Sequence, residues 1–397
     1  MTDTGKWMNC ILLAICIAMM VGCTPITGSE GTLGTVSNLF TPTANAGTIT
    51  HDTVPTESST PEFPSFDDMF QGFPENLGTY SQMLREELQP DETGRKSYVY
   101  KGGEAVIPYR AEGCGLMEAH GVGFLLFVDG KPQPYRVSEN GEYSYLHGFK
   151  KEDYTYLYTQ KNSETGEEDV YYRLDVDFIF EPVAGEKGDY VECKIVRIFY
   201  PDYSQEALGD YRIRPYTLAA APSQLTVTIK IAEEISHNQK LPVYDRLYDW
   251  ELTEVDVSSE EIAGWSGADM LTKVRKNCFV NGLDISKHNG MFWNVTKDDV
   301  IEVRFEVYGS PLLDFSLVYF VNNMPVSVSS GDFVTFRLNN GQKTVFTAKL
   351  DISDFDGEAH IYCVLVARNC AEGVTFTTVA DSYVFLRDIP DPFEEYT

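Results

Sequence analysis

The chain has 397 residues, with 60 acidic against 31 basic side chains and a formal net charge of −29. So acidic a surface repels phosphate backbones and anionic headgroups, which excludes nucleic acid as a partner and rules out membrane attachment through a basic patch. An aromatic content of 13%, from 24 Tyr, 23 Phe and 4 Trp, is too high for a disordered chain and suits β-sheet.

The N-terminus begins with Lys6, continues with a largely apolar stretch over residues 7–21, and closes on Val21-Gly22-Cys23. A run of about 15 apolar residues falls short of the roughly 20 that span a bilayer as a helix, and fits the core of a secretory signal. The Val-Gly-Cys ending resembles the lipobox of bacterial lipoproteins. That resemblance implies a signal peptide over 1–22, removal of that segment, and a lipidated Cys23 as the new N-terminus on the extracytoplasmic face of the cell membrane. Each buried methylene of acyl chains such as palmitate contributes about 0.8 kcal/mol, so a lipid anchor suffices without a spanning helix.

Residues 24–64 are dominated by Thr, Ser, Gly and Pro and cannot bury enough apolar surface to offset the entropy of ordering. With Cys23 they form a disordered tether, about 35 Å long as a coil and on the order of 130 Å fully extended. Such a reach suits a Gram-positive cell wall. Residues 65–94 read as a linker with a short helix at Tyr80–Leu88, because Leu84 and Leu88 stand four apart.

The remainder divides into two sheet-rich units, 95–233 and 243–390, with a tail at 391–397. Ala105, Ile107, Tyr109 and Ala111 alternate up to Gly113, as Ile301, Val303, Phe305 and Val307 do up to Gly309. The runs around Phe124–Pro132 and Ser316–Pro325 share a strand, a turn signal (Asp129-Gly130 or Asn322-Asn323) and a Pro, at an offset of 193. Val176, Phe178 and Phe180 match Phe346, Ala348 and Leu350, and Val191, Cys193 and Ile195 match Ile361, Cys363 and Leu365, at 170. The pattern implies a duplicated unit, the first copy carrying 23 extra residues between 136 and 175. Each unit reads as seven to nine strands of an antiparallel sandwich, one face of each sheet inward and the other in water. The fold class is therefore all-β, with two tandem immunoglobulin-like β-sandwich domains. Leu225–Ile231 and Tyr383–Leu386 are the closing strands, and a short helix is expected over Ala268–Val274.

No reactive constellation emerges. None of His51, His120, His147, His237, His288 and His360 stands three or four residues from another, so no helical zinc pair exists. Gly264-Trp-Ser266-Gly267 lacks the second Gly of a nucleophile elbow, Ala268 standing there, and Ser266 reads as a helix cap. Asp354-Phe-Asp356-Gly357 has Ile352 and Cys363 where a calcium loop needs carboxylates, and reads as a hairpin turn, as does Gly185–Asp189. Glu260 and Glu261 after Ser258-Ser259 read as the start of a capped turn. Cys193 and Cys363 read as small buried hydrophobes, a Cys363–Cys370 bridge across a strand and its turn being the lesser alternative for Cys363. No catalytic residue, metal site or cofactor is assigned.

The candidate ligand-binding residues lie in and around the 23-residue excess: Tyr143, Tyr145, Tyr154, Tyr156 and Tyr158. In a regular strand Tyr154, Tyr156 and Tyr158 share one face, with successive rings about 7 Å apart. Such a row can stack on sugars or contact a protein, or can cover sheet surface. The expectation is a lipid-anchored, non-enzymatic surface protein that binds a protein or glycan. The alternatives are a glycan-active enzyme or accessory subunit, and a structural or assembly lipoprotein of a membrane complex.

Overall fold

The computed structural model describes residues 80–387 apart from 93, 115–121, 164–165, 167, 200–223, 237–242, 285–291, 296–299, 311–312, 330, 355–357 and 369–376. The signal segment, Cys23, the tether, His51, His120, His237, His288, Cys370 and the tail lie outside the described residues. Nearly all regular structure among the described residues is strand.

The first half supplies β1 (Tyr80–Leu84), β2 (Tyr98–Tyr100), β3 (Ala105–Gly113), β4 (Val122–Val128), β5 (Lys131–Gln133), β6 (Leu146–Phe149), β7 (Thr155–Lys161), β8 (Glu168–Phe180), β9 (Tyr190–Phe199) and β10 (Gln224–Ile231). They form one sheet of order β1-β3-β8-β7 and a second of order β2-β10-β9-β4-β5, with β6 also on β4. The second half supplies β11 (Tyr244–Asp245), β12 (Leu247–Asp256), helix α1 (Gly267–Thr272), β13 (Val274–Val280), β14 (Leu283–Asp284), β15 (Phe292–Val295), β16 (Ile301–Gly309), β17 (Asp314–Val321), β18 (Met324–Ser327), β19 (Val334–Arg337), β20 (Gln342–Leu350), β21 (Glu358–Ala367) and β22 (Thr377–Arg387). They form a third sheet, β11-β18-β17-β21-β22-β15 with β19 on β17, and a fourth, β12-β20-β16-β13-β14. Each half thus pairs two sheets in the strand arrangement of an immunoglobulin-like sandwich. The strands outnumber the seven to nine expected because short strands, parallel β2 on β10 and parallel β15 on β22, add to the sheet edges.

Segment 80–84 is strand rather than the expected helix, which corrects the reading of 65–94 as a linker. Tyr80–Leu84 pairs antiparallel with Gly113–Tyr109, and Tyr109 donates its hydroxyl to Gln82 at 2.8 Å. Gln82 and Leu84 also alternate, and partnership with β3 decides between the two periods.

The two halves repeat one register at their outer sheets. Ala105 faces Phe180 and Tyr109 faces Val176, as Ile301 faces Leu350 and Phe305 faces Phe346. Both expected turns form, with Asp129 and Gly130 at φ 48° and 76° and Asn322 and Asn323 at 49° and 64°, the two left-handed residues of a type I′ hairpin. The inner sheets slip by two residues. Leu126 faces Ile195 whereas Tyr319 faces Cys363, so Cys193 and Cys363 are not equivalent positions, although both point inward and are fully buried.

One place is filled differently in each half. Beside β8 lies β7, which falls within the 23-residue excess, whereas beside β20 lies β12, which arrives from before β13. The excess therefore builds an edge strand that the second half takes from its own N-terminal segment.

Three cores stack through the molecule. One lies between the first and second sheets, around Tyr109, Phe124 and Phe178, and another between the third and fourth, around Phe305, Tyr319 and Phe346. The third joins the halves: Leu125, Phe127, Val196 and Ile198 from β4 and β9 meet Val318, Phe320, Tyr362, Val364 and Val366 from β17 and β21. The second and third sheets are thus buried on both faces, contrary to the expectation that every sheet wets one face. Strand β4 is buried at all seven positions, which is why it reads Val-Gly-Phe-Leu-Leu-Phe-Val without alternation.

Candidate binding surfaces

Tyr154, Tyr156 and Tyr158 do not form the expected row. Tyr143 donates its hydroxyl to Glu104, whose carboxylate also takes the Arg136 fork at 2.6 and 3.1 Å, and the guanidinium lies over the Tyr143 ring. Tyr145 is buried, and burial pushes its phenol up to about 12. Tyr154 is also buried; its ring packs near Tyr172 in the core and its hydroxyl donates to the Phe149 carbonyl at 3.1 Å.

Tyr156 and Tyr158 are 57% and 48% exposed. A bulge between them leaves Tyr156 opposite core-facing Tyr172, and turns Tyr158 opposite Tyr171 on the outer face of the sheet. The Tyr158 and Tyr171 rings stack at 4.7 Å and 19°. Strand β7 is an edge strand, exposed at nearly every position, so these rings stand at the margin of the first sheet.

A cleft of about 490 Å³ opens where the halves meet. The β4–β5 turn of the first half contributes Asp129 and Lys131, and the second half contributes Trp250 and Leu252 of β12, Asp332, Phe333 and Arg368. Arg368 reaches across to Asp129 with a 2.8 Å ion pair. Trp250, 46% exposed, sits in a bulge between Tyr248 and Glu251, where Asp249 takes φ 49° and its carboxylate accepts from Lys349 at 2.8 Å. Alternation from Leu252 would have placed Trp250 as an inward core residue, so the periodicity carried no sign of this role.

On the outer face of the fourth sheet a segment around 258–272 is fixed by charge. Ser258 and Glu261 cap each other, and the Lys343 ammonium joins Glu261 at 2.6 Å to nearly fully buried Glu306 at 3.2 Å. Arg304 also pairs with Glu306, and Trp265 packs on Tyr308. The hydrogen bond from Lys343, with those from Ser258, holds the Glu261 carboxyl down to about 2. Ser266 caps α1 as expected, its hydroxyl accepting from the Asp269 amide at 3.1 Å. Asp354, from the calcium-like stretch, pairs with Arg246 at 3.0 Å. His147 is part-buried and bonds through Nε2 to the Tyr135 carbonyl at 2.8 Å, and burial favours its neutral form.

Among the described residues no group of three or more His, Cys, Asp or Glu could hold a metal ion, and no helix is long and apolar enough to cross a membrane. Cys114, Cys193, Cys278 and Cys363 are buried, and Cys370, the expected partner of Cys363, lies outside the described residues.

No protein-family model and no curated protein matches the sequence. Among solved structures, the chain is similar to the N-terminal Ig1-2 module of the Drosophila receptor protein tyrosine phosphatase DLAR, with 14% identity over 78% of this chain and 99% of that one, at a TM-score of 0.18. The C-terminal domain of the Streptococcus pyogenes antigen I/II-family protein AspA matches with 9% identity over 78% and 100%, at 0.19. The Clostridium thermocellum CbhA fibronectin(III)-like modules match with 6% identity over 77% and 94%, at 0.18. At such scores the fold rests on the strand order and cores described above.

Proposed function

We propose that the chain is a non-catalytic surface protein, held to the outer face of a cell membrane by lipid on Cys23, that presents its paired sandwiches to a protein or glycan partner. The anchor rests on the apolar stretch ending at Val21-Gly22-Cys23 and on the Thr/Ser/Pro-rich tether, which suit a Gram-positive envelope. The recognition reading rests on one observation: Tyr156 and Tyr158 stand exposed on an edge strand that occupies the first half's excess residues. Tyrosine offers apolar area and a polar tip at low entropic cost, the combination that recognition surfaces favour.

Two measurements test it. Metabolic labelling with an alkyne analogue of palmitate should mark the wild type and not Cys23→Ala; equal labelling contradicts the anchor. Pull-down from cell-wall and host extracts, with a glycan array, should give binding that a Tyr156→Ala/Tyr158→Ala double variant loses while its melting temperature holds. Equal binding by both forms returns these rings to covering sheet surface.

A further inference from the structure

We infer that the cleft between the sandwiches is a binding site separate from the tyrosine edge, and that it takes an uncharged sugar ring. Its size falls in the range of small-ligand sites, and junctions between domains are where such sites occur most. One wall is aromatic. The β12 bulge inserts one extra residue, so that Asp249 and Trp250 together stand against the single Ala348 of β20, and Trp250 keeps nearly half its surface open instead of entering the core as its spacing from Leu252 would have it. Bulges re-aim side chains next to functional sites, and this one is pinned by the bond from Lys349 to Asp249. Phe333 extends the apolar lining.

The polar lining selects the ligand class. Lys131 and Asp332 are exposed and, among the described residues, form no ion pair, while Arg368 and Asp129 neutralise each other across the junction. An anionic ligand would meet two carboxylates here and a cationic ligand two basic groups. A fully apolar ligand would leave four polar side chains without replacement for the water that it displaced. A polyhydroxylated ring satisfies both signs, since each hydroxyl donates and accepts, and its C–H face lies on an indole.

The experiment is an array of uncharged, amino and acidic oligosaccharides probed with the full chain, with Trp250→Ala, with Lys131→Gln, and with the Tyr156→Ala/Tyr158→Ala variant. An uncharged oligosaccharide should bind, with affinity insensitive to added salt. It should weaken about fivefold or more in Trp250→Ala, weaken also in the exposed Lys131→Gln, and stay unchanged in the tyrosine variant. The proposal is overturned if no uncharged oligosaccharide binds, if binding is confined to charged sugars, or if both cleft variants keep wild-type affinity. Loss in the tyrosine variant alone would uphold the edge site and remove this one.

Discussion

Phe127 and Phe320 meet edge to face across the junction of the halves, with ring centroids 6.2 Å apart and planes at 90°. They hold the same position in their own sandwiches: Phe127 faces Pro132 and Phe320 faces Pro325, each across a type I′ hairpin. Their neighbours correspond too, Leu125 with Val318 by the shared offset of 193. By the register of the inner sheets, Val196 and Ile198 occupy the places of Val364 and Val366. The junction is therefore self-complementary in the manner of a two-fold dimer interface, within a single chain. Burying a side chain of this kind contributes roughly 1.5–3 kcal/mol, so the shared core is a main source of stability and not an incidental contact.

The tyrosines should divide sharply by burial. Tyr154→Ala removes a core ring and should cost about 3 kcal/mol or more, whereas Tyr158→Ala should change stability by less than about 1 kcal/mol. Urea denaturation of the two variants measures this. Equal losses would contradict the placement of Tyr158 on the outer face.

Gly130 should resist substitution at the junction. Its φ is +76° and an added Cβ would come 2.4 Å from Ser316 Oγ and 2.9 Å from Arg368 Cγ, both on the opposite half. Gly94 has a similar φ of +82° and open space around it. Gly94→Ala should cost about 1–2 kcal/mol for the left-handed backbone alone, and Gly130→Ala a further 1–3 kcal/mol or so for overpacking. Comparable melting temperatures for the two variants would contradict the close approach of the turn to the second half.

Acid should loosen the 258–272 segment. Glu261 titrates at about 2 in the fold against 4.5 as the ordinary value, so its ion pair with Lys343 contributes fully above about pH 4.5. That contribution fades as pH falls from there toward 2, because the unfolded chain takes up the proton first. Near-ultraviolet circular dichroism of the Trp265–Tyr308 pair should follow this loss, and Glu261→Gln should flatten it. An unchanged acid profile in the variant would place the dependence elsewhere.

The buried thiols should be silent. Cys193, Cys278 and Cys363 are enclosed, and burial pushes the Cys193 thiol up to about 12 despite the opposing charge of Lys194. Ellman's reagent at pH 8 should leave all three unreacted in the native chain and modify them in urea. Rapid native labelling of any one, read by peptide mass, would contradict its burial.

The parts of this architecture that were legible in the sequence are those set by local chemistry. The Asp129-Gly130 and Asn322-Asn323 pairs imposed their turns, Ser266 its cap, and the alternation of β3 and β16 their inward faces. Properties created by neighbours were not legible. Leu84 and Leu88 suggested a helix until β3 claimed the segment, and the apolar runs in β4, β17 and β21, read as ordinary strands, were the mark of sheets with two covered faces. The same holds for the proposed binding surfaces. A bulge of one extra residue separates Tyr156 from Tyr158, and another exposes Trp250; period-2 reasoning fails at both because a bulge depends on the partner strand.

The measurement closest to the centre of this account is differential scanning calorimetry of the full chain and of its Phe127→Ala variant. With one core shared between the sandwiches, the wild type should melt in a single transition whose calorimetric and van't Hoff enthalpies agree. Phe127→Ala should lower that whole transition, by about 3–5 kcal/mol in stability. Two separate transitions in the wild type, with the variant shifting only the first-half transition, would show that the halves fold as independent beads and would contradict the four-sheet body on which both proposed binding surfaces stand.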